Sequence, residues 1–371
     1  MFDYKIPMRA FCTVLLSSYA SHALSYEAGD ALPGWMLQDA PIAHTLAVDE
    51  IEVSGNYLLV NDTVDFLDIR EKMIGESALL SGDVGDLSGV SGGVNWGIES
   101  GLMLFARSSA IDLDTELGSA ALFGELDSDK HLSTLSSQLG ARWRIPKLNN
   151  QRLVVSLEAL WQQNSSDDFV LRFNQVDAGE MMLTFSSPKE IRISGLEDSG
   201  WQARLLMDHM LSRHSFINGW IGMASYSAKS EVSTDITYAP IRTNFDRKFD
   251  IQEDQIQAGV GLNWQIRRDI PLQLFYEFRK IDREERGGDQ PINSSTLAKF
   301  TNPENLAAET SNHIVTGKIG IWMTSRLNLS LTGKVMSNQF LGIVPHYNNT
   351  VTSRFFDKMY GYVGVGVSYV F

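Results

Sequence analysis

The sequence predicts an all-β chain: a transmembrane antiparallel β-barrel of about twelve strands, with fourteen as the alternative count. Three observations predict it. Apolar residues recur at every second position in segment after segment up to the last residue, Phe371, the period of a strand with two unlike faces. Short turns alternate with long polar connections, as in a barrel with periplasmic turns and extracellular loops. Although 43% of the chain is hydrophobic, no uninterrupted apolar stretch reaches the roughly 18 residues expected of a membrane-spanning helix.

The N-terminus has the tripartite form of a secretory signal. Lys5 and Arg9 lead, Phe11 to Ala20 carries no charge, and the small residues Ser21 and Ala23 suit cleavage after Ala23. Cys12, the one cysteine, lies inside this segment and precedes Val14, Leu15 and Leu16, whereas a lipoprotein signal places its apolar run before the cysteine. The mature chain is then free of cysteine, which excludes disulfide frameworks and thiolate metal sites and suits an oxidising periplasm. Residues 24–55 show no alternation and are expected to form a periplasmic tail, an inward-folded plug or a mobile arm. The barrel is assigned to residues 56–371.

Asn56 to Leu67 is the expected first strand. Val90, Val94, Trp96 and Ile98 then meet the turn at Glu99-Ser100-Gly101, followed by a run from Leu102 to Leu113. Leu135, Leu139, Ala141, Trp143 and Ile145 lead through residues 146–150 to Leu153, Val155, Leu157, Ala159 and Trp161. Trp201, Ala203, Leu205, Met207 and Leu211 precede a turn at 212–215, after which Phe216 to Tyr226 leaves its register open. Ile256, Ala258, Val260, Leu262, Trp264 and Ile266 pair across Pro271 with Leu272, Leu274, Tyr276 and Phe278. Val315, Ile319, Ile321 and Met323 pair with Leu327, Leu329, Leu331 and Val335. Residues 114–131, 164–198, 227–254, 282–312 and 338–357 are read as long polar connections. Within the second of them, Phe169 to Phe173 and Met181 to Phe185 form an extracellular hairpin in the twelve-strand count and an added strand pair in the fourteen-strand one. A soluble sandwich would carry charge on the outward face; here those positions are apolar, aromatic or small, His209 excepted.

The last strand carries the most specific pattern. Val363, Val365, Val367, Tyr369 and Phe371 alternate with Gly364, Gly366 and Ser368, which places one face against lipid and the other toward a lumen. This strand resembles the C-termini of the Gram-negative outer-membrane β-barrel superfamily, whose members commonly end in such a strand with a terminal Phe read by the assembly machinery. The likeness is close over the terminal strand and rests on pattern elsewhere. It implies a place in the outer membrane, contact with its lipid and lipopolysaccharide, and handling by the barrel assembly machinery through Val363, Val365, Val367, Tyr369 and Phe371.

Formal net charge is -14. Removing residues 1–23, where Lys5 and Arg9 outweigh Asp3, leaves -15, a surface that repels nucleic acid and argues against a DNA or RNA partner. The six histidines beyond the signal (His44, His131, His209, His214, His313, His346) fall in no metal-binding cluster, and no phosphate loop or dinucleotide fingerprint occurs; no cofactor is implied. Asp208 and His209 adjoin in sequence, but neighbours on a strand point to opposite faces. His214-Ser215 in a turn lacks an orienting partner, and Asn218-Gly219 after it lacks the spacing of outer-membrane phospholipase. Asp112 and Asp114 share a strand face and resemble the paired aspartates of omptin proteases without that family's His spacing; solvation or divalent-cation bridging to lipopolysaccharide accounts for them.

Opposite the apolar faces stand Arg142, Arg144, Glu158, Arg204, Asp208, Glu277, Arg279, Lys318 and Lys334, the expected lumen lining. In so narrow a barrel they either neutralise one another or form a charged constriction. Basic residues on 132–145 and 313–337 would make a positive wall, with small anionic solutes as the natural passengers. The expected function is a narrow small-solute channel, or a passengerless barrel like the translocators of autotransporters. A hydrolase with a rim site and a closed structural or adhesive barrel are the alternatives. The pattern carries no signal for a particular solute or oligomeric state.

Overall fold

A computed structural model describes residues 36, 40–60, 80–120, 124–128, 131–150, 152–177, 182–237, 247–285, 311–337 and 360–371. The expected signal segment with Cys12 and Ala23 lies outside these residues, as do positions 61–67 and most of the connections assigned to 282–312 and 338–357.

Fourteen strand segments follow one another: β1 (Ile51–Val60), β2 (Leu80–Glu99), β3 (Leu102–Ala120), β4 (Gly124–Ser128), β5 (His131–Arg144), β6 (Leu153–Ser166), β7 (Phe169–Asp177), β8 (Met182–Ser212), β9 (Ser215–Thr234), β10 (Arg247–Arg267), β11 (Ile270–Glu285), β12 (Ser311–Trp322), β13 (Leu327–Met336) and β14 (Tyr360–Val370). Every pairing is antiparallel. β14 returns to β1, with Ser368 opposite Ser54, and closes the ring. Closure satisfies the backbone amides along both edges of every strand, the condition for a sheet to sit in hydrocarbon.

The fourteen segments make twelve staves. On β3, Asp114 faces His131 of β5, and five residues further Ser119 faces Glu125 of β4, so β4 continues β5 across residues 129–130. On β8, Glu197 faces Ser165 of β6 and Ile193 faces Phe169 of β7, so β7 continues β6. The continuations pair with each other, Ser128 opposite Leu171, as β5 pairs with β6. Phe169 to Phe173 and the start of β8 therefore form a hairpin that raises the wall without adding staves.

Two sequence expectations are corrected. The first strand begins at Ile51, not Asn56; its inward Glu52 and Ser54 are buried and polar, so hydrophobicity does not mark where it starts. The connections at 114–131, 164–198 and 227–254 are largely strand, with β8 running 31 residues and β9 and β10 reaching far into the polar stretches. Hydrogen-bond ladders continue beyond the apolar belt, where buried apolar residues such as Phe173, Ile191 and Ile193 alternate with charged ones such as the exposed Arg192, so the apolar rhythm that marks a strand is short and set in a polar sequence.

The outer surface is an apolar belt. On β10, Ile256, Val260, Leu262, Trp264 and Ile266 are exposed, and the next outward residue beyond Ile256 is the exposed Asp254. The ten steps from Ile256 to Ile266 at ~3.3 Å each, tilted by about 40°, give a height of roughly 25 Å, the apolar band of a membrane barrel. Trp96, Trp143 and Trp264 lie outward near the short-turn end, and Tyr57, Trp161, Trp201 and Tyr276 further up. Val365, Val367 and Phe371 continue the belt on β14, where Phe371 meets Tyr369 edge-on at 4.7 Å. β9 settles the open register: Phe216, Asn218, Trp220, Ala224 and Tyr226 point inward and Ile217, Ile221 and Met223 outward. Large apolar groups on both faces had hidden the period.

Candidate functional site

The lower lumen, at the short-turn end, is crossed by the segment that precedes β1. Met36 and Ala40 to Ala47 are buried. The chain reverses at Ala47 to Glu50, with Asp49 in the left-handed region at φ 64° and its N–H donating to Gly97 O at 2.8 Å, and then enters the wall as β1. A Cβ on Gly97 would collide with the Ala47 carbonyl, so only glycine allows this approach. Ile42, Ala43 and Leu46 pack with the inward Met103, Phe105, Leu206, Phe216 and Trp220, giving the short-turn end an apolar core.

Polar groups from five staves fix this strap. Asp208 Oδ2 accepts from the N–H of Ala43 (2.8 Å) and His44 (3.2 Å) and from His44 Nδ1 at 2.5 Å. Arg142 donates to the carbonyls of Ala40 and His44, each at 3.1 Å. Ser156 Oγ donates to Ala43 O at 2.5 Å, Asn218 to Pro41 O at 2.9 Å, and Gln273 to Met36 O at 2.9 Å. Asn218, Asn263 and Gln273 are themselves chained, Gln273 to Asn263 at 2.9 Å and Asn263 to Asn218 at 2.8 Å. Buried backbone polar groups need such partners, and here the lumen supplies them.

Above the strap, Glu158 lies between two guanidinium groups. Arg142 Nε and Nη2 donate to its Oε2 at 2.9 and 2.5 Å, and Arg204 Nε donates to its Oε1 at 2.9 Å. Glu277 pairs with Arg279, which also donates to Gln255 at 2.9 Å. Higher still, Arg283 meets Glu253 at 2.6 Å and Asn164 meets Asp198 at 2.7 Å. Arg144 turns to the short-turn mouth and donates to Ser100 Oγ at 3.2 Å.

The nine residues read as lumen lining divide into groups, with Glu277 apart from both as the ion-pair partner of Arg279. Arg142, Arg144, Glu158 and Asp208 belong to the strap and its floor. Arg204, Arg279, Lys318 and Lys334, with Arg107, line a cavity of about 310 Å³ above Ala40, bounded on one side by Gly93, Gly364, Ser91 and Thr332. No Asp or Glu is among the described residues that line it. Small side chains on β12 to β14 and on β1 and β2 leave this half of the lumen open, while amides and ion pairs fill the other. Sequence reasoning missed Arg107, whose strand had no assigned face, and His44, which precedes the barrel.

The other candidates stay apart. His209 is exposed on the outer face while Asp208 is buried and bound to His44. His214 lies exposed in its turn, 3.4 Å from Gln265. Asp112 accepts from Ser133 Oγ; the side chains of Asp114 and His131 lie outside the described residues.

With strand order, closure, belt and strap in view, the architecture is decided. The fold is that of an outer-membrane β-barrel. No known protein family and no curated protein matches the sequence. Among solved structures, the barrel is similar to the translocator domain of the autotransporter NalP from Neisseria meningitidis, with a TM-score of 0.50 and 8% identity over 87% of this chain and 88% of that one. Weaker similarity joins it to the toluene transporter TodX of P. putida (TM-score 0.41, 12% identity, 87% of this chain and 89% of that one). The β domain of the Bordetella autotransporter BrkA scores 0.44 at 8% identity, over 87% of this chain and all of that one. At such identities the likeness is one of fold.

Proposed function

We propose that this barrel resides in the outer membrane of a Gram-negative bacterium, its short turns toward the periplasm, and acts as a narrow channel for small anionic solutes, with Met36 and residues 40–50 strapped across the periplasmic mouth. The observation that carries the reading is the open half of the lumen: Arg107, Lys318 and Lys334 face one cavity together with Arg204 and Arg279, whose ion-pair partners Glu158 and Glu277 are not among the described residues of its lining. Confined between low-dielectric walls, such a group of charges concentrates anions and repels cations. The large excess of acidic residues over the whole chain makes this basic interior a local feature rather than a consequence of composition. Reversal potentials in a planar bilayer under a KCl gradient test the reading. Anion selectivity is expected, and cation selectivity contradicts it.

A second reading, a passengerless barrel akin to autotransporter translocators, draws on the strap, which threads the lumen just before the first strand. It is favoured if the purified barrel conducts neither before nor after the strap is loosened. Recognition of the C-terminal strand from Val363 to Phe371 by the assembly machinery, and contact of the belt with lipid and lipopolysaccharide, belong to both readings.

A further inference from the structure

We infer that the cavity holds a binding site for a small aromatic carboxylate, on the wall formed by β11 to β14. The inference rests on the channel reading and names the class of solute. Cross-strand register sets the site. Phe275 stands opposite Thr316, Thr316 opposite Lys334, and Lys334 opposite Tyr362. One step toward the strap, Gln273 stands opposite Lys318 and Lys318 opposite Thr332. Lys318 and Lys334 are thus diagonal neighbours on adjacent strands, with side-chain origins about 7–8 Å apart, close enough for two flexible ammonium groups to reach one carboxylate. Their charges sit on the side of the lumen that small residues leave open.

An aromatic partner is built in beside them. Phe275 lines the cavity, and its ring is held edge-on by Trp220 at 6.2 Å and backed by Gly261, where a Cβ would collide with the ring. Tyr362 lies with its ring centroid 6.0 Å from Lys334 Nζ, so a second π-face borders the same ammonium group. A planar ring placed between Phe275 and Tyr362 gains offset or edge-to-face contacts on both sides. Leu58 and Met336 complete the lining with apolar surface, which disfavours a strongly hydrated inorganic anion because its water is not replaced. A cavity of about 150 Å³ accommodates benzene; 310 Å³ has room for the ring, the carboxylate and some water.

The test uses the folded full-length protein in detergent and three probes read by calorimetry: benzoate, acetate, which lacks the ring, and benzyl alcohol, which lacks the charge. Benzoate is expected to bind with a Kd at least tenfold below either. Lys318→Gln and Lys334→Gln should each weaken benzoate at least fivefold, and Phe275→Leu should weaken benzoate at least threefold while leaving acetate unchanged. The heat-dependent gel migration of each variant confirms that its barrel has formed. Should one lysine variant fail to form, the other carries the test. Benzoate binding no tighter than acetate or benzyl alcohol, or binding indifferent to both lysine substitutions, overturns the site. An anion-selective current that benzoate leaves unblocked removes the site and preserves the channel. Benzoate bound by a barrel that passes no current preserves the site and removes the channel.

Discussion

Replacing Asp208 with Ala should loosen the strap without opening the wall. One oxygen of this buried carboxylate takes the amides of Ala43 and His44 and the His44 ring at 2.8, 3.2 and 2.5 Å. A hydrogen bond to a charged group contributes about 1.5–3 kcal/mol, but three donors sharing one oxygen do not add, and water replaces part of what is lost. A net weakening of about 3 kcal/mol follows from these considerations. At ~1.4 kcal/mol per factor of ten, the amides of Ala43 and His44 should exchange with deuterium roughly a hundredfold faster. The bonds from Arg142, Ser156, Asn218 and Gln273 remain, so the strap should stay attached by a shifted equilibrium rather than be expelled. Hydrogen exchange read on peptides covering residues 40–50 and on peptides from β6 and β8 checks this. Unchanged exchange at Ala43 and His44 refutes the reasoning. So does equal acceleration in β8, which would mean that the carboxylate supports the barrel as a whole.

Further outcomes are expected at other points of the molecule. Glu158→Gln removes the charge between Arg142 and Arg204 and should cost about 3–5 kcal/mol in urea unfolding, as breaking a buried ion network does, while moving the reversal potential further in the anion direction; no shift in either contradicts the assigned pairing. Gly97→Val should force Ala47 off the wall, visible as proteolytic cleavage within residues 40–50 of an otherwise intact barrel. Ile221→Arg, on the outer belt, should destabilise the lipid-embedded protein by about 2–4 kcal/mol, measured by equilibrium unfolding from vesicles, whereas on a water-facing surface the change would be nearly neutral. Phe371→Ala should lower the yield of assembled barrel in cells several-fold and leave refolding of purified protein into detergent within about 1 kcal/mol, the size of effect usual for a surface substitution.

The parts of the fold that hydrocarbon touches were the legible parts. Outward positions on β10 and β14 alternate strictly because every second residue there must satisfy lipid, and that selection ends at the membrane boundary. Beyond it, the five-residue β4 reads as part of a loop, whereas β7 and the first part of β8, with Val170, Phe173, Ile191 and Ile193 buried, keep a short apolar rhythm and read as a hairpin within a long connection. On β9, Phe216, Trp220 and Tyr226 face inward because the strap and the cavity need bulk there, and two apolar faces cancel the period. The lumen charges were legible by default, as the residues left over once the lipid face was assigned. Their grouping was not: that Asp208 serves His44 rather than Arg204 depends on a segment 164 residues away in sequence. Nothing in Ala40 to Ala47 shows the period of a strand or of a helix.

Placement of the outer belt in hydrocarbon is the claim on which the rest depends, and β10 tests it most directly. The chain holds one cysteine, in the expected signal segment, so single cysteines introduced at Asp254, Ile256, Val260 and Trp264 can carry a nitroxide without competition. In vesicles, collision with oxygen should exceed collision with a water-soluble nickel complex at Ile256 and Trp264. The ratio should peak at Val260 and reverse at Asp254. Nickel access at Val260 equal to that at Asp254 would place the belt in water and contradict the account.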